Sequence, residues 1–210
     1  MVERNLRRRG IRDERVLEAM ARVPRHVFVR PEHRAVAYAD MPLPTRDGQT
    51  ISQPYIVALM TEALRVKEGA RIFEIGTGSG YQTAVLAALG ASVWSVEASA
   101  DLHREAAARL QEMGYAGIHL ACGDGTLGWP EAAPFDGILA TGSLPARPQD
   151  LLRQIRPGGV FVGPIGGLRE QRLVRIEVDP TNAVEETLCA CSFVPLVGRD
   201  GWHQPADQEG

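Results

Sequence analysis

The residues with the most chemical potential are Phe73-Glu74-Ile75-Gly76-Thr77-Gly78-Ser79-Gly80, together with Glu97. Glycines at 76, 78 and 80 let a chain turn tightly and approach a ligand with no Cβ in the way. Where such a turn opens a helix, the free N–H groups offer donors to an anionic group. Alone, a G-x-G sequence is equally an ordinary tight turn. Glu97, however, lies 97 − 76 = 21 residues past Gly76, where nucleotide-binding sheets place an acid to accept hydrogen bonds from ribose hydroxyls. As an isolated residue, Glu97 could equally be a surface carboxylate or a helix cap. A dinucleotide fingerprint, G-x-G-x-x-G, wants a small residue at 81, and the chain has Tyr81.

The apolar pattern sets out the elements that must position these groups. Arg71–Ile75 reads as a strand running into the glycines, Gly80–Leu89 as a helix, and Ser92–Val96 as a second strand ending beside Glu97. Ala100–Met113 is a helix stopped by Gly114, and Ile118–Cys122 a third strand. Asp136–Thr141, a helix over Pro148–Ile155, and Val160–Pro164 after the Pro157-Gly158-Gly159 turn continue the alternation. Such regularity implies parallel βαβ units with right-handed crossovers, an α/β, Rossmann-like, doubly wound and mostly parallel sheet. Arg172–Val178 and Thr187–Val194 have no helix between them and predict an antiparallel hairpin at a sheet edge.

Upstream, Val16, Leu17, Met20 and Val23 recur at helical spacing before Pro24. Arg4, Arg7, Arg8, Arg9, Arg12 and Arg15 read as the solvated face of that helix, or as a basic arm for a partner. Residues 24–50, with Pro24, Pro31, Pro42, Pro44 and Gly48, predict an irregular extended segment, a lid or wall of a site. Pro54–Val66 is a helix with proline in its first turn. The expected organisation is a single domain over 1–210. Its parts are a helical and extended lid with the reaction segment (1–52), a cofactor-binding core (53–166) and a β-rich, substrate-side segment (167–210).

Composition excludes several classes. The 23 Lys+Arg against 26 Asp+Glu give a net charge of −3, with no footprint for nucleic acid or an anionic membrane. The charged stretch from Met1 to Arg15 has no apolar run of a secretory signal, and no stretch approaches 18 uninterrupted apolar residues. Cys122, Cys189 and Cys191 show no disulfide rhythm, so a reducing, cytoplasmic setting is expected; Cys189 and Cys191 are expected to alternate across a strand, one facing the core. His26, His33, His103, His119 and His203 lack metal-ligand spacing with these cysteines, and no metal is expected.

A third glycine arriving one residue early, after an acid, is the pattern of S-adenosylmethionine-dependent methyltransferases, whose cofactor has no pyrophosphate to cradle. Gly123-Asp124-Gly125 adds an acid that could receive an adenine amino group between glycines that admit the ring, though it also reads as an ordinary turn. Further motifs are Val23-Pro24-Arg25-His26-Val27-Phe28-Val29 and Gln49-Thr50-Ile51-Ser52-Gln53-Pro54. Pro134-Phe135-Asp136, Arg156-Pro157-Gly158-Gly159 and Phe193-Val194-Pro195-Leu196-Val197 follow. With these, the chain from about Val23 to Gly198 resembles the protein-L-isoaspartate (D-aspartate) O-methyltransferase family.

The resemblance implies S-adenosyl-L-methionine as cofactor, S-adenosyl-L-homocysteine as product, and isoaspartyl-containing proteins and peptides as partners of a monomeric enzyme. It implies Ser52 as the active-site hydroxyl. Gln49, Thr50, Ile51, Glu74, Gly76, Thr77, Gly78, Ser79, Gly80, Glu97, Ala98, Gly123, Asp124 and Gly125 would contact the cofactor. Thr50, Ser52, Val194, Pro195 and Leu196 would meet the substrate. On residue type alone, Ser52 or Thr50 could equally cap the helix starting near Pro54, and both roles can hold together.

In that chemistry an α-carboxylate, with a pKa of ~3.5, is already an anion at neutral pH and needs no general base; no His, Asp or Lys adjoins Ser52. Attack of an anion on a sulfonium annihilates charge, so a tight Arg–carboxylate pair would favour the ground state over the transition state. A neutral hydroxyl orients without that penalty. Val194–Leu196 could pair with an extended peptide by edge addition. Thr141-Gly142-Ser143-Leu144-Pro145 departs from the family's usual run of small residues, and the bulk of Leu144 and the hydroxyl of Ser143 are expected to reshape the pocket. Three readings follow: a repair methyltransferase, a relative dedicated to one peptide on the strength of that loop, and a non-catalytic scaffold using its arginine-rich N-terminus.

Overall fold

A computed structural model describes residues 1–179 and 183–203; the remainder of the expected 167–210 segment lies outside the described residues. Helix α1 (Glu14–Arg22) opens on Asp13, whose carboxylate accepts from the N–H groups of Arg15 and Val16. It buries Val16, Leu17 and Met20 of the predicted stripe together with Ala19, and Val23, the fourth predicted residue, is buried at its C-terminal cap. Two-residue strands β1 (Leu43–Pro44) and β2 (Thr50–Ile51) pair antiparallel. Helix α2 (Pro54–Leu64) then leads to β3 (Arg71–Ile75), α3 (Tyr81–Ala88), β4 (Ser92–Glu97), α4 (Ala100–Glu112) and β5 (Ile118–Cys122). Beyond them come β6 (Phe135–Ala140), α5 (Gln149–Leu152), β7 (Ile155–Gly166), β8 (Gln171–Glu177) and β9 (Val184–Cys191).

The main sheet has seven strands in the order β5-β4-β3-β6-β7-β8-β9. The first five in that order are parallel, and β8 and β9 continue antiparallel as the edge hairpin. Chain order runs outward from β3 to β5 and then resumes on the other side at β6, so the β3/β6 pair is the topological switch point. Both faces are covered, and the central strands are apolar on both sides, as parallel strands must be. Ile72, Leu139, Val160 and Val162 join the cluster under α1, α2 and α3, whereas Phe73, Ile138 and Phe161 join a second cluster with Leu151 and Leu152 of α5.

The lid is more structured than the sequence suggests. Asp47 and Gly48 both take positive φ, 54° and 68°, the two-residue turn whose twist suits an antiparallel hairpin. That Asp-Gly pair was the available signal for β1–β2. In the C-terminal half, α5 is shorter than expected, and Pro157-Gly158-Gly159 forms a bulge inside β7 instead of a turn before it. Strand β9 ends at Cys191 instead of Val194, because both amide groups of the Gln171 side chain take up the backbone N–H and C=O of Phe193. Cys189 and Cys191, two residues apart, share a strand face and pack on the same cluster, correcting the expectation that they alternate.

Arg7, Arg9 and Arg15 of the N-terminal arginines are engaged by the chain itself. Arg7 pairs with Glu3 and Glu14, Arg15 donates to the carbonyls of Val66 and Leu89, and Arg9 pairs with Asp40 while its guanidinium lies 3.6 Å from the Tyr55 ring centre. Asp40 is also the cap of α2. Its Oδ1 accepts the Tyr55 N–H at 3.1 Å, while the residue at the cap position, Gln53, makes no side-chain cap. Capping of α2 by Ser52 or Thr50 is therefore excluded. In denaturant unfolding, Asp40→Ala is expected to cost about 1–2 kcal/mol, from a lost cap and a partly screened ion pair. Ser52→Ala should stay within about 0.5 kcal/mol of the parent; the reverse order would return the capping role to Ser52.

Candidate active site

The site is built where β3 and β6 end side by side. Gly76, at φ 88°, donates its N–H to Val96 O at 2.8 Å, and the Thr141 N–H donates to Ile75 O at 3.0 Å. The Thr141 hydroxyl sits 2.6 Å from Gly76 O, and any side chain at 76 would collide with it. Gly78 differs: a Cβ there would meet nothing within 4 Å, so its backbone faces open space. Gly80 packs under Leu110 of α4, and its smallness serves helix packing.

Two carboxylates flank this loop with different tasks. Glu97 accepts the N–H groups of Gly78 (2.7 Å) and Ser99 (3.0 Å), one on each oxygen, which leaves a lone pair on each for a ligand hydroxyl. Glu74 lies fully buried beneath the loop, with one oxygen accepting the hydroxyls of Thr83 (2.5 Å) and Ser95 (2.7 Å) and the other unpartnered among the described residues. Burial pushes its carboxyl up to about 7 against the pull of those two hydroxyls, and the Glu97 charge adds to the rise.

A cavity of about 380 Å³ opens over the loop, within the range of a cofactor-sized ligand. Of the sequence-predicted residues, Gln49, Thr50, Ile51 and Ser52 form its lid side, and Gly76, Thr77, Gly78 and Ser79 its loop side. Glu97, Ala98 and Gly125 form a third wall, and Val194, Pro195 and Leu196 a fourth. Glu74, Gly80, Gly123 and Asp124 do not line it. Asp124 instead accepts the N–H groups of Thr126 and Arg199 and the Thr126 hydroxyl. Burial opposes its ionised form, but these bonds prevail and hold its carboxyl below the usual range.

A second cavity of about 170 Å³ adjoins the first, and the two share Thr50, Ser52, Thr141 and Val194. Ser52 Oγ has no protein hydrogen-bond partner among the described residues. Among the described residues, the charged ones on the larger cavity are Asp47 and Glu97, and none lines the smaller. Cys191 on the smaller cavity is kept neutral, its thiol pushed up to about 11 by burial and by Cys189. Asp47 thus lies at the same cavity as Ser52, despite the sequence expectation of no acid nearby; its carboxylate accepts the Ser99 hydroxyl at 2.7 Å and ties the hairpin tip to the start of α4.

The 141–145 loop acts differently from its sequence expectation. Ser143 and Leu144 are buried and line neither cavity; Leu144 fills the core cluster under α5. Gly142 does line the larger cavity, and a Cβ there would come within 2.8 Å of Leu196 Cγ and 2.9 Å of Val194 O. The segment 194–196 is already paired: Val194 C=O and Leu196 N–H bond Ser143, and Leu196 C=O bonds Trp202. Pro195 has no N–H, so edge addition of a peptide has little backbone to use, a correction to the expectation. Thr141, shared by both cavities, was missed by sequence reasoning; its place at the carboxyl end of a strand beside the switch point was the signal.

The sheet order and the cavity over the strand tips define a Rossmann-like methyltransferase class of fold, and solved structures agree. One protein-L-isoaspartate O-methyltransferase superposes with a TM-score of 0.83 at 28% identity, covering 95% of this chain and 67% of that chain. A Plasmodium falciparum protein described as a β-aspartate methyltransferase, in complex with S-adenosyl-L-homocysteine, gives 0.81 at 25% identity over 93% and 96%. Among curated proteins, protein-L-isoaspartate O-methyltransferase 1 of Syntrophobacter fumaroxidans is 51% identical over 202 residues, 96% of this chain and 94% of its own. The family model "Protein-L-isoaspartate(D-aspartate) O-methyltransferase" matches residues 1–201, and the chain belongs to that family.

Glu74 supplies a test of the loop's foundation. Between the ordinary glutamate value and about 7, the folded protein retains a proton that the unfolded chain has released, so this group's contribution to stability falls as pH rises through that window and levels off above it. Relative to wild type, Glu74→Gln should gain about 3 kcal/mol on going from pH 4 to pH 8. Unfolding curves at the two pH values measure this, and a constant difference would show that Glu74 titrates alike in the folded and unfolded protein, with no effect of its burial.

Proposed function

We propose that this chain transfers a methyl group from S-adenosyl-L-methionine to the free carboxylate of L-isoaspartyl residues in damaged proteins and peptides, the step that initiates repair through a succinimide. The observation that carries this is the pair of adjoining cavities with Ser52 on their shared wall: among the described residues, acids alone of the charged groups on the larger and no charge on the smaller. The larger cavity suits an adenosyl sulfonium. The open space at Gly78 admits it, Glu97 has lone pairs for ribose hydroxyls, and Asp47 and Glu97 favour a cation. When bound, the cofactor supplies an electrophilic methyl on positively charged sulfur.

The chain's own part is to bind, orient and exclude. Gln49–Ser52 and the 76–79 loop close on the donor from opposite sides, while Thr50, Ser52, Thr141 and Val194 form the opening through which the acceptor reaches it. Ser52 Oγ donates to the acceptor carboxylate, holding it in line without neutralising it, and most of the acceleration comes from that alignment. Cys191 and Phe193 on the smaller cavity, with Thr50 and Gln53, offer an uncharged wall to the peptide. Glu74 and Gly80 support the loop from below, and Gly123 and Asp124 flank Gly125, the member of that turn that lines the cavity.

The supports for the two rival readings are weakened, because Ser143 and Leu144 are buried away from the cavities and the N-terminal arginines Arg7, Arg9 and Arg15 are engaged internally. A monomeric, cytoplasmic protein with no nucleic-acid partner remains part of this proposal. Among the described residues, no helix is long and apolar enough to cross a membrane. Labelled methyl transfer to paired peptides is the test: an isoaspartyl peptide should accept label and its aspartyl isomer should not. Ser52→Ala should lower kcat by about tenfold to a hundredfold while cofactor affinity stays within about twofold. Equal label on both peptides, or parallel loss of cofactor affinity, would reject the assignment.

A further inference from the structure

The proposed function leaves unexplained why the segment after α1 buries a charge. Arg25 is fully buried, yet among the described residues it forms no ion pair with a carboxylate. Its Nε–H donates to Ala37 O at 2.8 Å, one Nη–H donates to Ser52 O at 2.7 Å, and the other Nη is buried without a partner. The guanidinium carbon lies 4.9 Å from the ring centre of Tyr81, which begins α3 directly after the glycine loop. Phe28, from the same turn, meets that ring edge-on at 5.4 Å.

Burying an arginine against main-chain carbonyls is unfavourable beside an apolar residue of similar volume. Desolvation shows in the guanidinium's depressed proton affinity, though arginine remains charged at any working pH. Stability alone does not account for the residue. What the fork joins does: the lid at Ala37, the reaction segment at Ser52, and the first residue of the helix behind the cofactor loop. A planar guanidinium holds two carbonyls in one fixed relation, which the rotating ammonium of lysine does not.

We propose that Arg25 is a positioning residue for the methyl-transfer reaction, fixing the Ser52 backbone through its carbonyl so that the Ser52 hydroxyl stays on the wall between the two cavities. Arg25 holds the Ser52 carbonyl and Pro54 restricts Gln53, so the Ser52 backbone is fixed on its C-terminal side. This inference rests on the methyl-transfer reading of the site. It gives the Val23-Pro24-Arg25-His26 motif a physical task.

The test is a double-mutant cycle of Arg25→Lys and Ser52→Ala, assayed with S-adenosyl-L-methionine and an isoaspartyl peptide. Arg25→Lys should lower kcat about tenfold or more, with peptide KM and calorimetric cofactor affinity each within about twofold. Added to Ser52→Ala, it should cost no more than about twofold further, because its effect passes through the hydroxyl already removed. The same loss in both backgrounds, or a parallel loss of cofactor affinity, would overturn the proposal. Arg25→Gln, neutral and close in reach, is the second variant should the lysine protein not fold, and failure of both to fold would make Arg25 a core residue only and overturn it as well. Absence of transfer by wild type would overturn the functional reading and this proposal together; wild-type transfer with independent losses would overturn the proposal alone.

Discussion

The site depends on the contact between Gly76 and Thr141, where two neighbouring parallel strands end and the chain leaves them in opposite directions. Thr141 places its hydroxyl against the carbonyls of Ile75 and Gly76, in the volume any side chain at 76 would need. The floor of the cavity is therefore main chain, fixed by part-buried hydrogen bonds to Thr141. From this point Gly78 reaches across to Glu97 on β4, and Glu74 ties β3 to α3 and β4 underneath. Because Thr141 also borders both cavities, one residue sets the height of the loop and the position of the opening above it.

Above that floor, charge is distributed as a cation–anion reaction requires. Two acids face the larger cavity, and the smaller is lined by neutral groups, including a thiol whose burial keeps its proton on. A lysine or arginine in the smaller cavity would bind an acceptor carboxylate more tightly and hold it back from reaction, since the ion pair is lost as the charges cancel. The buried Arg25 respects the same rule. Its charge stands behind the Ser52 carbonyl and outside both linings, so it can order the segment without contacting the acceptor.

The order of elements, the edge hairpin and most of the cavity walls were legible in the sequence, because each is written locally: apolar runs for buried parallel strands, glycines at the loop, an acid at the end of β4. What was not legible depends on distant partners. Asp40 caps a helix from 15 residues upstream, Gln171 ends β9 early by binding Phe193, and Arg25 reaches Ser52 across 27 residues. Asp124 looked like a ligand group in its Gly-Asp-Gly setting, and only the fold of the 198–201 segment shows that its Oδ2 also accepts the Arg199 N–H, one bond that leaves a lone pair on that oxygen. The 141–145 loop misled for a related reason. Its bulky residue points into the core, and the change that touches the cavity is the glycine, whose missing side chain lets the 194–196 segment lie close.

The two sides of the cavity are held by different forces. The floor belongs to the core, with Ile75, Phe73 and Leu139 buried around it. A two-residue ladder and the buried Leu43 and Ile51 tie the base of the hairpin to the core, whereas its tip is held by polar contacts near the surface, Asp47 to Ser99 and Arg46 to Glu105. Contacts of that kind open at far lower free energy than a packed core, and a cavity whose ligands must enter and leave requires one wall to be of this type. Ser52 stands at the core-anchored end of the hairpin, one residue past it and two before α2. A hydroxyl that must keep its place through repeated opening has to be fixed from the strong side, and the hydrogen bond to its carbonyl from the buried Arg25 does so without passing through the hairpin at all.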